Sequence, residues 1–101
     1  MWQMINAIIE IKDFTNQHPE AKFKIGKTDD YQRREQEHSL NGYTIFKIIA
    51  ESSSLDNINK LEEMLIKYSS VFYKENLENE RDGGGGNNSD STKYYIYLIS
   101  K

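Results

Sequence analysis

A strand-grade run of residues stands behind a segment that cannot hold structure by itself. Residues 83–92 read GGGGNNSDST, and glycine with small polar residues makes flexible linker, not fold. Directly after it comes Lys93–Ser100, KYYIYLIS, whose tyrosines and isoleucines are strongly β-forming. A strand on such a tether must pair with strands made earlier in the chain. The sheet is therefore expected to draw on both ends of the sequence.

Two earlier segments can supply partners. Residues 21–26, AKFKIG, alternate small or apolar residues with lysine and read as a short strand ending at Gly26. Residues 43–50, YTIFKIIA, give the best strand pattern. Helices fit between these strands. In residues 2–17, Ile5, Ile8, Ile9 and Lys12 fall on helical spacing, and Ile11 lies off that face. A strand over 7–12 is the competing reading, and Pro19 closes the element. Asp29 or Asp30 can cap a helix over YQRREQEHS, residues 31–39, and Asn41-Gly42 is a turn signal. Ser52–Ser54 can cap a further helix with an apolar stripe of Leu55, Ile58, Leu61, Leu65 and Tyr68. A short additional helix is expected over 71–79. The sum is one small α/β (α+β) domain over residues 1–101, with a three-stranded, mainly antiparallel sheet flanked by three to four helices.

The 101 residues suffice for one modest core. There is no cysteine, which excludes disulfide frameworks, thiolate metal sites and cysteine nucleophiles. No apolar run approaches the roughly 20 residues of a membrane span, and Glu10, Lys12 and Asp13 break up the N-terminal apolar pattern. The expectation is an intracellular protein, cytoplasmic or nuclear, without a signal peptide. Net charge is −3, which disfavours a passive nucleic-acid coat. Between Lys22 and Arg34, however, five basic residues face two Asp. A local basic patch on an acidic protein suits a grip on a few phosphates.

The informative stretch is Lys24-Ile25-Gly26-Lys27-Thr28, with Arg34 eight residues after the glycine and His38 four residues later. Tyr31, Arg34 and His38 share one face of the expected helix. A strand stopping at Gly26 lets backbone approach a phosphate, the helix N-terminus offers N–H groups, and Arg34 supplies a fork of donors.

This pattern resembles the second signature of the GIY-YIG nuclease superfamily, in its KIG-containing phage and viral branch. Leu61-Glu62-Glu63-Met64-Leu65-Ile66 is similar to the helix on which that family carries its catalytic glutamate, so Glu62 is the implied metal ligand. Asn76 stands where an asparagine often occurs. The family's first, GIY-type strand should precede KIG by about ten residues and does not. Tyr95–Ile99, YIYLI, resembles it instead, with Tyr97 in the tyrosine position, which suggests circular permutation through the tetraglycine. Ten linker residues reach about 30 Å when extended.

The resemblance implies a DNA partner and hydrolysis of DNA phosphodiesters with Mg²⁺ or Mn²⁺ held by Glu62. Arg34 binds developing phosphate charge, and Tyr97 orients or deprotonates water. Lys24 replaces the usual tyrosine and is the candidate for lowering the phenol's pKa from about 10. His38 can share the base role, and Gly26, Lys27, Thr28, Tyr31 and Asn76 form the substrate side. Plainer readings stand beside these. Arg34 and His38 also fit a solvated face, Glu62 an exposed helix, Tyr97 core packing, Thr28 a turn and Asn76 a helix cap. His18, Tyr43, Tyr68 and Tyr73 read as structural. A non-catalytic module binding nucleic acid or protein is the alternative function, and Tyr95–Ile99 could pair across a homodimer or strand-swapped dimer.

Overall fold

The computed structural model describes residues 2–78 and 92–101. Its elements in chain order are α1 (Trp2–Gln17), β1 (Phe23–Thr28), α2 (Tyr31–Leu40), β2 (Ile45–Ser52), α3 (Leu55–Phe72) and β3 (Tyr94–Ser100). The class is α+β, with three helices on one three-stranded antiparallel sheet. The expected tether over 83–92 lies, apart from Thr92, outside the described residues.

The strand order is β1-β3-β2, so the latest strand in the chain is the middle of the sheet. It pairs antiparallel with β1 in unbroken register, Phe23 opposite Ser100 and Gly26 opposite Tyr97. On its other side it pairs with β2, where the register shifts between Ile48 and Ala50. The shift is a bulge, and it lets the consecutive residues Ile49 and Ala50 both be buried. A middle strand pairs on both edges, which is why its residues are almost all buried.

Side chains alternate across the sheet, and the two faces do different work. Phe23 and Ile25 of β1 and Ile96 and Leu98 of β3 point into the core, where α1 and α3 cover them. α1 contributes Ala7, Ile11 and Phe14, α3 contributes Ile58, Leu65 and Ile66, and Phe14 meets Phe23 edge-on at 5.9 Å. Each such side chain contributes about 1.5–3 kcal/mol on burial. The buried stripe of α1 corrects the expected one. Ile11, placed off the face by spacing, is fully buried, while Ile5 and Ile9 are about half exposed. The helix rotates because Phe14 and Ala7 fit beneath the sheet, and spacing alone cannot choose between two overlapping apolar stripes.

The expected separate helix over 71–79 is absent among its described residues. α3 runs on to Phe72, and Tyr73 N–H donates to Ser69 O at 2.8 Å to close the last turn. Residues 76–78 then lie along the start of β1, with Phe23 N–H donating to Asn76 O and Glu78 N–H donating to Phe23 O, both at 2.8 Å. Tyr73 packs its ring on Phe23 at 6.5 Å, which draws the chain off the helix axis. No helix of the described residues is long and apolar enough to cross a membrane.

Candidate active site

The second face of the sheet carries the chemistry-bearing residues. Tyr97 alternates with the core residues Ile96 and Leu98, so its ring stands on the opposite side. It lies directly over Gly26, its partner across the ladder. A Cβ at Gly26 would sit 2.4 Å from both Cζ and the hydroxyl oxygen of Tyr97. Only glycine leaves room for this ring, which accounts physically for the glycine of the KIG triplet. On the β2 side, Phe46 stacks on Tyr97 with ring centres 4.9 Å apart and a 20° interplanar angle. The phenol is thus clamped, with 6% of the residue exposed.

α2 crosses this face. Asp30 caps it, its Oδ1 accepting from Arg33 N–H at 3.1 Å, and Thr28 Oγ1 holds Asp30 by accepting its N–H at 3.0 Å. Tyr31 packs edge-on against Tyr95 at 5.0 Å. Two turns on, His38 Nε2 lies 3.1 Å from the Tyr97 hydroxyl. His38 is also in ring contact with Tyr43 at 5.5 Å and Phe46 at 6.3 Å. Between Tyr31 and His38, Arg34 places Nη1 3.5 Å from Glu37 Oε2. Its Nε is buried and has no acceptor among the described residues.

The electrostatics tie these groups together. Burial, then the Arg34 charge, hold the His38 pKa below the usual 6.5, with Lys24 adding to the lowering and Glu37 opposing it. The imidazole is therefore neutral at pH 7. Burial raises the Tyr97 phenol above its usual 10; Arg34 opposes this, while Glu62, Glu37 and Tyr43 reinforce it. The Arg34 and Glu62 charges thus bias the titration of the phenol that touches His38, in opposite directions. Glu62 comes from α3 and is only 7% exposed, an uncommon place for a carboxylate. One turn earlier on α3, Asn59 accepts from the Lys27 ammonium.

The structure brings the Tyr97 hydroxyl to His38 with Gly26 beneath the phenol, and the Arg34 and Glu62 charges lie near enough to bias the phenol's titration. Lys27 is joined to α3 beside Glu62, Thr28 anchors the α2 cap, and Tyr31 packs on the neighbouring tyrosine. Two candidates stand apart. Asn76 sits at the start of β1, where its Nδ2 donates to Pro19 O at 3.0 Å and Ala21 O at 2.9 Å. Its role there is to hold the α1–β1 connection. Lys24, expected to lower the phenol, instead extends over the Tyr43 ring at 6.0 Å, and the phenol is raised. Sequence reasoning passed over Phe46 and Glu37. Glu37 lay three residues from Arg34 on one helix, a readable ion-pair spacing. Phe46 had no local signal, because its stacking depends on the β2–β3 register.

No group of three or more His, Asp or Glu able to cage a metal occurs among the described residues. A lone buried carboxylate, Glu62, fits a different arrangement. Mg²⁺ is commonly held by one or two carboxylates, with water and substrate phosphate completing its shell. Glu62 is a carboxylate of the kind such a site would use. A family model described as T5orf172 domain matches residues 7–83. No curated protein and no solved structure matches the chain.

Proposed function

Because the chain belongs to the T5orf172 domain family, a nuclease-related family, we propose that it is a metal-dependent endonuclease of GIY-YIG type that hydrolyses DNA phosphodiester bonds. The observation that carries this reading is the Tyr97 hydroxyl 3.1 Å from His38 Nε2 above Gly26, within the field of the Arg34 and Glu62 charges. Packing alone gives no reason to set a phenol against a neutral imidazole within the field of a guanidinium and a buried carboxylate.

The residues divide the work as follows. The Tyr97 hydroxyl donates to the neutral His38 Nε2, which leaves the phenolic oxygen able to accept a proton from water as its own moves to the imidazole. That route answers the difficulty of a phenol with a raised pKa: the base is the pair, not tyrosine alone. Arg34 Nε, lacking an acceptor, is directed to a phosphate oxygen and stabilises the charge that develops there. Glu62 would hold Mg²⁺ or Mn²⁺, which when bound supplies Lewis-acid stabilisation of the phosphate and leaving oxygens. Lys27 and the α2 N-terminus, capped by Asp30, lie on the substrate side.

Circular permutation is part of this reading. What supports it is that β3, beyond the family match that ends at residue 83, pairs antiparallel with the KIG strand, as a GIY-type strand would. The experiment is conversion of supercoiled plasmid to nicked or linear form in Mg²⁺, in Mn²⁺ and in chelator. The protein should cut in either metal and not in chelator, and Arg34→Ala should slow cutting by about 10²–10³-fold. Glu62→Gln should abolish cutting in either metal. Metal-independent cutting, or cutting unchanged in both variants, contradicts the assignment.

A further inference from the structure

Beside the Tyr97–His38 pair, the end of α2 and the start of β2 enclose a groove of about 510 Å³ that the chemistry above does not use. This volume is typical of small-molecule sites. Its walls include His38, Leu40, Tyr43 and Phe46, with Gln36 and Glu35 supplying polar groups. Leu40 is 88% exposed, an apolar side chain at the rim that nothing among the described residues covers. Two ammonium groups lie against the Tyr43 ring, Lys101 Nζ 5.0 Å and Lys24 Nζ 6.0 Å from its centre.

We propose that this groove receives an unpaired base of the DNA strand being cut, stacked against Tyr43 beside the His38 ring, with Lys24 and Lys101 taking the adjoining phosphate. This inference rests on the endonuclease reading. Three observations select this occupant. Half-buried aromatic rings with cations alongside match the two halves of a nucleotide, a π-face and a phosphate. The groove shares His38 with the Tyr97 site, so a strand whose phosphate meets Arg34 brings its neighbouring nucleotide to the groove. The polar lining offers both hydrogen-bond senses, an amide at Gln36 and a carboxylate at Glu35, which suits base edges and not a purely apolar ligand.

The consequence is a substrate class. In an intact duplex each base is stacked on its neighbours and cannot lie on a protein ring. Stacking here requires a single-stranded, bulged or extrahelical base. The enzyme is therefore directed to DNA with a local break in pairing next to the cut phosphate.

The test uses the Glu62→Gln protein in Mg²⁺ and oligonucleotides carrying 2-aminopurine either unpaired in a bulge or paired in the matching duplex. The bulged probe should be quenched on binding and bind about tenfold more tightly than the paired one, the usual scale of one base–aromatic stack. Tyr43→Leu should remove quenching and preference together, and Tyr43→Phe should keep both. Equal binding of the two probes, or quenching undisturbed in Tyr43→Leu, overturns the base site. If wild-type protein cuts plasmid but shows equal probe binding, the base site falls and the nuclease stands. If the preference is present but wild-type protein in Mg²⁺ cuts neither plasmid nor the bulged oligonucleotide, the base site stands as a binding site and catalysis falls.

Discussion

At Gly26 the requirement is steric and absolute. Any larger residue puts a Cβ 2.4 Å from a ring that Phe46 holds from the other side. Gly26→Ala should cost about 1–3 kcal/mol by overpacking, read from denaturant midpoints. It should also displace the phenol from His38 and so reduce cutting far more than the stability loss explains. His38 permits a prediction with a sign. Its folded pKa is below the 6.5 of the unfolded chain, so the unfolded state takes up a proton first as pH falls. The neutral imidazole's contribution is complete above 6.5 and is lost progressively as pH falls toward the folded pKa. Melting temperature should drop across that window less steeply in His38→Asn than in the wild type. Cutting by the wild type should decline at or below the same pH, where the imidazole ceases to accept. Gly26, Arg34 and His38 were readable because their spacing is local, within one strand–turn–helix unit. The clamp by Phe46 was not, because it arises from a ladder between segments about fifty residues apart.

Among the elements, α2 and α3 are held very differently. α3 buries Ile58, Leu65 and Ile66 under the sheet, while α2 has no fully buried residue and relies on its Asp30 cap and on the rings of Tyr31 and His38. Opening free energies follow burial. In native-state hydrogen exchange the α2 amides should therefore lose protection well before those of α3. Equal protection would mean that α2 has support this account lacks. Arg34 and His38 ride on the less firmly held helix, and Glu62 on the firmer one. α1 shows where pattern reading fails at this scale. Its helical period was plain, but its sequence has two apolar stripes, and contact with β2 and α3 decided which was buried. The boundaries of α2 were easier, because Asp30 and Asn41-Gly42 mark them by local backbone chemistry.

For the whole molecule, the placing of β3 governs everything else. Its residues supply Ile96 and Leu98 to the core on one face and Tyr97 to the site on the other. The sequence made a late strand certain and its pairing necessary. It could not say that the strand would be central, since pairing at either edge would equally satisfy a tethered segment. The fold and the site thus depend on one strand, and the sharpest question is whether its tyrosine serves packing or chemistry. Tyr97→Phe separates these. The ring keeps its place over Gly26 and against Phe46, and only the hydroxyl contact with His38 is lost, worth about 0.5–1.5 kcal/mol. Single-turnover cleavage of a DNA substrate in Mg²⁺ should fall by at least about 100-fold in this variant, with its unfolding midpoint little changed. Cleavage at the wild-type rate by a folded Tyr97→Phe protein would contradict the account.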